Sequence, residues 1–174
     1  MKITVREMTV FGMLGALMYA SKMLMEVAPN IHLLGVFIIA FTVVYGKKAL
    51  YSIYTFILIT GIFSGFASWW IPYIYIWAVL WGVTMLLPKK MSKKVRPIVY
   101  MVVNACHGFL YGTLYAPAQA ILFGLSFDGM IAWIMAGLPF DMIHGVSNFL
   151  CGILIMPIIS ILIRIEQSSG NEYF

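Results

Sequence analysis

Lys89-Lys90-Met91-Ser92-Lys93-Lys94-Val95-Arg96 gathers five of the eleven basic residues of this chain into eight consecutive positions. On either side the sequence turns apolar, from Ile71 to Leu87 before it and from Pro97 to about Ala120 after it. The other basic clusters are Lys2 with Arg6, the pair Lys47-Lys48, and Arg164, leaving only Lys22 apart. Each interval between neighbouring clusters holds enough apolar sequence to cross a bilayer twice, so the positive groups return to one side, and the positive-inside rule makes that side the cytoplasm. The pattern is that of an integral membrane protein.

Composition agrees. Hydrophobic residues make up 63% of the 174 and charged residues 10%, with a mean hydropathy of +0.97, against roughly 25% charged in soluble domains. Residues 1–174 read as a single membrane domain, because no Ser/Gly-rich or low-complexity linker divides them. The net charge of +5 sits in loops rather than on a helix face. Anionic lipid headgroups, not nucleic acid, are the expected counter-charge. Cys106 and Cys151 lie in apolar runs without CxxC spacing, which points to small buried side chains rather than a disulfide or zinc site. The N-terminal run lacks a signal-peptide pattern and is read as the first membrane helix.

A hydrocarbon core of about 30 Å takes about 20 helical residues. By that ruler the spans are Glu7 to Val27, His32 to Tyr45, Ala49 to Phe66, Ile71 to Leu87, Pro97 to about Ala120, and a sixth beginning near Pro139. Gly137-Leu138-Pro139 is expected to separate that sixth helix from a lid-like segment starting at Gly129. The fold class is therefore all-α, with six transmembrane helices, cytoplasmic termini and an outward-facing ligand cavity. Its outer connections are Ala28 to Ile31, Ala67 to Trp70 and Ile121 to Leu138. The second span is short: its 14 residues rise only about 21 Å. Either neighbours shield it or the Ala28 to Ile31 connection dips inward and makes a cavity.

Polar residues inside apolar spans each cost a few kcal/mol unless they face protein or water. Asn104, His107, Tyr111, Tyr115 and Gln119 recur at helical spacing on one face, and Asp141, His144, Asn148 and Cys151 form a second stripe, with Asp141 expected in the first turn of its helix. Two facing stripes predict a wet site. Trp70, Tyr73, Trp77 and Trp81 share a third face, and Trp70 and Tyr73, nearest the outer mouth, are the ones expected to stack on a planar ligand. Asn30 and His32, at the dipping connection, complete the expected substrate-binding set. Lys22 and Glu26 form an i,i+4 pair at the rim. His32, His107 and His144 show no metal-ligand spacing, so no metal and no cofactor is expected. Small residues recur as Gly12, Ala16 and Ala20, as Gly61 and Gly65, and as Gly108 and Gly112, where helix backbones can meet closely.

No GxSxG, HExxH or paired glutamates appear, so catalytic residues are not expected. An intramembrane enzyme using Asp141 and His144 is the alternative, and a small channel-forming oligomer is another.

The six-helix layout, the Ala16-Leu-Met-Tyr-Ala20 motif and the aromatic and polar outer loops together resemble the S components of energy-coupling factor (ECF) transporters. The resemblance implies capture of an organic micronutrient, such as cobalamin, riboflavin, pyridoxine or a thiamin precursor, at the prokaryotic cell membrane. It implies as partners a T component and two ATPase subunits, with Gly12, Ala16 and Ala20 against the T component. It also implies a ligand held near the outer surface, under the 28–31 and 121–138 loops. Nickel and cobalt members of that family begin Met-His, whereas this chain begins Met1-Lys2, which argues against a metal ion as cargo. The chain has no phosphate-binding loop of its own.

Overall fold

Thr4 opens the first helix through a reciprocal cap: its hydroxyl accepts the Glu7 amide at 3.2 Å while the Glu7 carboxylate accepts the Thr4 amide at 3.0 Å. Thr-x-x-Glu at 4–7 is the sequence signature of that device. The computed structural model describes residues 3–168, so Lys2 and Glu172 lie outside the described residues. Within them the chain forms eight α-helices and no strand: α1 Val5–Met25, α2 Leu34–Tyr45, α3 Ala49–Ser64, α4 Tyr73–Leu86, α5 Val95–Phe109, α6 Tyr111–Phe123, α7 Phe127–Cys151 and α8 Ile155–Ser168. Four stretches are long and apolar enough to cross a membrane: Val5–Met25, Leu34–Ser64, Val95–Phe123 and Phe127–Ser168. Gly46, at φ +56, interrupts the second of these between α2 and α3, a backbone conformation that suits glycine. Leu110 interrupts the third, and a 3₁₀ turn at Gly152–Leu154 the fourth.

Side-chain placement is inverted relative to a water-soluble bundle. Asn104, Ser52 and Thr60 are fully buried, whereas Leu86, Ile121 and Leu24 are 86%, 83% and 79% exposed. In water such an apolar exterior would aggregate; in lipid it is the solvated face. α2 lies at the centre, with only Val43 of its twelve residues incompletely buried. α1 packs on α3, α5 on α7, and α2 on α4 and α8. Gly15 sits beneath Ser52 and Thr55 of α3, and Gly108 meets the Gly145 backbone of α7, so close backbone approach sets both crossings.

One end of the bundle is held by ions. Lys48 pairs with Glu7, Arg6 lies 3.6 Å from Glu166, and the Tyr45 hydroxyl donates to Glu166 at 3.0 Å. The start of α1, the α2–α3 turn and the end of α8 therefore meet at one level. From that level α1 rises about 31 Å over its 21 residues and α2 only about 18 Å over its 12. The 26–33 connection must descend between them.

Five sequence expectations are corrected here. Pro139 does not begin a helix: α7 runs through it from Phe127, because Ser126 caps the first turn by accepting the Gly129 amide at 3.1 Å. The expected 121–138 outer loop is consequently helical except at 124–126. Asp141 thus falls in mid-helix, not in a first turn. Gly61 and Gly65 do not form a helix-crossing ladder, since Gly61 packs under Phe66 and Trp70 and Gly65 turns the chain at φ +90. Cys106 is exposed rather than buried, and both cysteines are free.

Candidate functional site

The descending connection brings His32 into the bundle. Asn30 adopts φ +63, a left-handed conformation that asparagine tolerates better than most residues, and its carbonyl accepts the Ser147 hydroxyl of α7 at 2.8 Å. The His32 ring then lies 4.6 Å from that of His144 and 6.0 Å from Trp77. Trp77 is the hub: its indole also lies 5.5 Å from Tyr73, 5.6 Å from His107 and 5.8 Å from Tyr111, and Tyr111 is 4.8 Å from His144. α4, α5, α6, α7 and the connection each contribute a ring.

Four ring nitrogens in this cluster are sealed from solvent without a hydrogen-bond partner: His32 Nδ1, Trp77 Nε1, His107 Nδ1 and His144 Nε2. Each such atom costs about 1–3 kcal/mol when left unpaired. Native interiors satisfy such groups with ordered water or with a ligand. Burial pushes the His32 imidazole down to about 4, and the nearby His107 and Lys22 act in the same direction. The ring is neutral at pH 7. Among the described residues no three His, Cys, Asp or Glu side chains come together to hold a metal ion.

Asn104, Asn148, Asp141, Trp70 and Tyr115 are engaged with protein, although Asn104 Oδ1 and Asn148 Oδ1 are also buried without a partner. Asn104 and Asn148 exchange hydrogen bonds, each amide nitrogen donating to the other's backbone carbonyl at 2.8 and 3.2 Å. Asp141 accepts the Gly112 amide with both oxygens, at 3.0 and 3.1 Å. That amide is free because Leu110, at φ −98 and ψ 4, breaks the helical ladder before α6, so Asp141 caps the next helix from across the interface. Trp70 donates its indole N–H to the Ile57 carbonyl at 2.8 Å and packs on Phe66. Tyr115 donates to the Trp69 carbonyl at 2.9 Å and stacks on Trp133 at 5.8 Å.

Of the expected binding residues, then, His32, Tyr73, His107, Tyr111 and His144 come together. Asn30, Trp70, Tyr115, Asp141 and Asn148 hold the surrounding framework. Trp77, which the spacing of four places on the Tyr73 face, joins the ring cluster. Trp133 went unnoticed because it falls in the stretch read as a lid. Trp81 lies at the other end, donating to the Gly46 carbonyl at 3.2 Å. Lys22 and Glu26 form the expected pair at 3.5 Å.

Gly12, Ala16 and Ala20 face away from the bundle. A side chain at Gly12 would meet nothing within 4 Å, and Ala16 and Ala20 are exposed between Met13, Leu17 and Leu24. No family model matches this chain, and no curated protein or solved structure matches it either.

Proposed function

We propose that this chain is a six-crossing membrane capture subunit that takes a small organic nutrient from outside the cell and delivers it inward by docking on a separate energising module, as ECF S components do. The observation that carries the reading is the set of four unpartnered ring nitrogens beneath the 26–33 connection, an arrangement that a bound ligand would complete. Gly46 supports counting α2 and α3 as two crossings, with α5–α6 and α7–α8 as one each. The meeting of Arg6, Lys48 and the end of α8 at one end supports a shared cytoplasmic face for three of the basic clusters. The ligand would enter from the opposite end, past the connection tied to α7 by Ser147.

The outward face of Gly12, Ala16 and Ala20 is a flat strip on which a partner helix of a T component fits closely. Cobalamin, riboflavin, pyridoxine and a thiamin precursor remain the nutrient classes considered. The engagement of both Asp141 oxygens by Gly112 weighs against Asp141 and His144 as an acid-base pair.

The test joins two measurements. Native mass spectrometry of the purified chain is expected to find a co-purified small molecule. Ala16→Trp with Ala20→Trp is expected to abolish nutrient uptake in cells while leaving binding to the purified chain within twofold. An empty protein whose double variant supports normal uptake refutes the reading, and turnover of any substrate by the purified chain alone favours the enzyme alternative.

A further inference from the structure

We infer that the ligand of this site is an uncharged planar heterocycle whose edge carries a hydrogen-bond donor beside an acceptor, as in a ring lactam. This rests on the capture reading above and narrows it. Two of the four free nitrogens have a settled polarity. His107 Nε2 lies 3.1 Å from the Ile76 carbonyl oxygen. A carbonyl only accepts, so Nε2 carries the proton and Nδ1 presents a bare lone pair. Trp77 Nε1 can only donate. The two rings are neighbours, 5.6 Å apart and 34° from parallel, so the cluster carries a free acceptor and a free donor on adjacent rings. A lactam edge answers them with its N–H toward His107 and its C=O toward Trp77. His32 Nδ1 and His144 Nε2 have no partner to settle their tautomers and adapt to whatever polar groups lie further along the ligand.

Charge complementarity favours a neutral ligand over an ion. Among the described residues, Asp141 is engaged by Gly112, Lys22 pairs with Glu26, and Arg6, Glu7, Lys48 and Glu166 lie at the opposite end. The charges near the cluster, Lys22 and Glu26, are paired with each other, so a carboxylate or ammonium there would gain a counter-charge only by breaking that pair, at a cost of several kcal/mol if it were left unpaired. The surrounding Tyr73, Trp77 and Tyr111 rings favour a flat apolar body behind the polar edge.

The test is calorimetric titration of the full chain in lipid nanodiscs with 2-quinolone, N-methyl-2-quinolone and quinoline-2-carboxylate. The lactam is expected to bind at least tenfold tighter than the N-methyl compound, which lacks the donor, and than the carboxylate. Trp77→Phe keeps a ring and removes one polar atom, and His107→Phe keeps a ring and removes two, the free Nδ1 and the Nε2 bonded to the Ile76 carbonyl. Each is expected to weaken 2-quinolone binding about tenfold, equivalent to about 1.4 kcal/mol, with thermal unfolding reporting that the variants are folded. Equal binding of all three probes, preference for the carboxylate, or folded variants with unchanged affinity overturns the inference, the last marking a cluster filled by water. A charged nutrient found by native mass spectrometry overturns it while leaving capture standing. Failure of every probe, together with an empty protein and normal uptake by the Ala16/Ala20 variant, removes both.

Discussion

Asp141 shows how a residue's spacing can be read correctly and its role misplaced. Its register with His144 and Asn148 puts it on the inward stripe, and it is buried there. Its partner is nonetheless the Gly112 amide, exposed by a helix break at Leu110 that no proline or glycine at that position announces. Asp141→Ala should therefore cost about 1–2 kcal/mol of stability, as lost helix caps do, visible as a lowered unfolding temperature. Affinity in the folded fraction should fall less than for Trp77→Phe. Glycines separate in the same way. A side chain at Gly35 would run into Asn104 Oδ1, so Gly35→Ala should destabilise by about 1–3 kcal/mol through overpacking. Gly12→Ala, with open space around it, should leave thermal unfolding unchanged. Nothing in the residue types distinguishes Gly35 from Gly12; only the neighbour does.

At the scale of elements, the 26–33 connection and the start of α7 matter most. The shortness of the second apolar run already implied a shielded helix or a dipping connection, and both hold: α2 is buried nearly throughout, and Asn30 is bound to Ser147. The Ser147 bond contributes about 1 kcal/mol to holding the segment, beside the His32 ring contacts with His144 and Trp77. Amide hydrogen exchange at 30–33 is therefore expected to slow when ligand is bound and to quicken in Ser147→Ala; equal exchange in all three states would deny the connection a gating role. α7 was misread because Gly137-Leu138-Pro139 carries a breaker signature stronger than the cap at Ser126. Proline is tolerated within a membrane helix when neighbours and local adjustment satisfy the freed carbonyl. Ser126→Ala should fray the first turn of α7 by about 1 kcal/mol, seen as faster exchange at Gly129.

For the whole molecule, the proposed six-crossing topology makes a prediction that needs no ligand. In a background lacking Cys106 and Cys151, a cysteine placed at Ser92 should react with a membrane-impermeant thiol reagent only from the cytoplasmic side, and one at Ser68 only from outside. Labelling of both from one side would reduce the number of crossings. What the amino-acid sequence determined by itself is the solvent: apolar runs of bilayer length and basic residues confined to their ends leave lipid as the only medium that solvates the chain. It also determined which faces of α5, α6 and α7 turn inward, because helical periodicity is a local property. The tertiary structure alone decided which inward groups partner one another and which are left waiting. Asn104 and Asn148 exchange amide hydrogen bonds and Asp141 takes the Gly112 amide, whereas one ring nitrogen on each of Trp77, His32, His107 and His144 is left without a partner. Those outcomes depend on how deep one connection sinks and where two helices cross, and such relations between distant segments have no counterpart in local spacing.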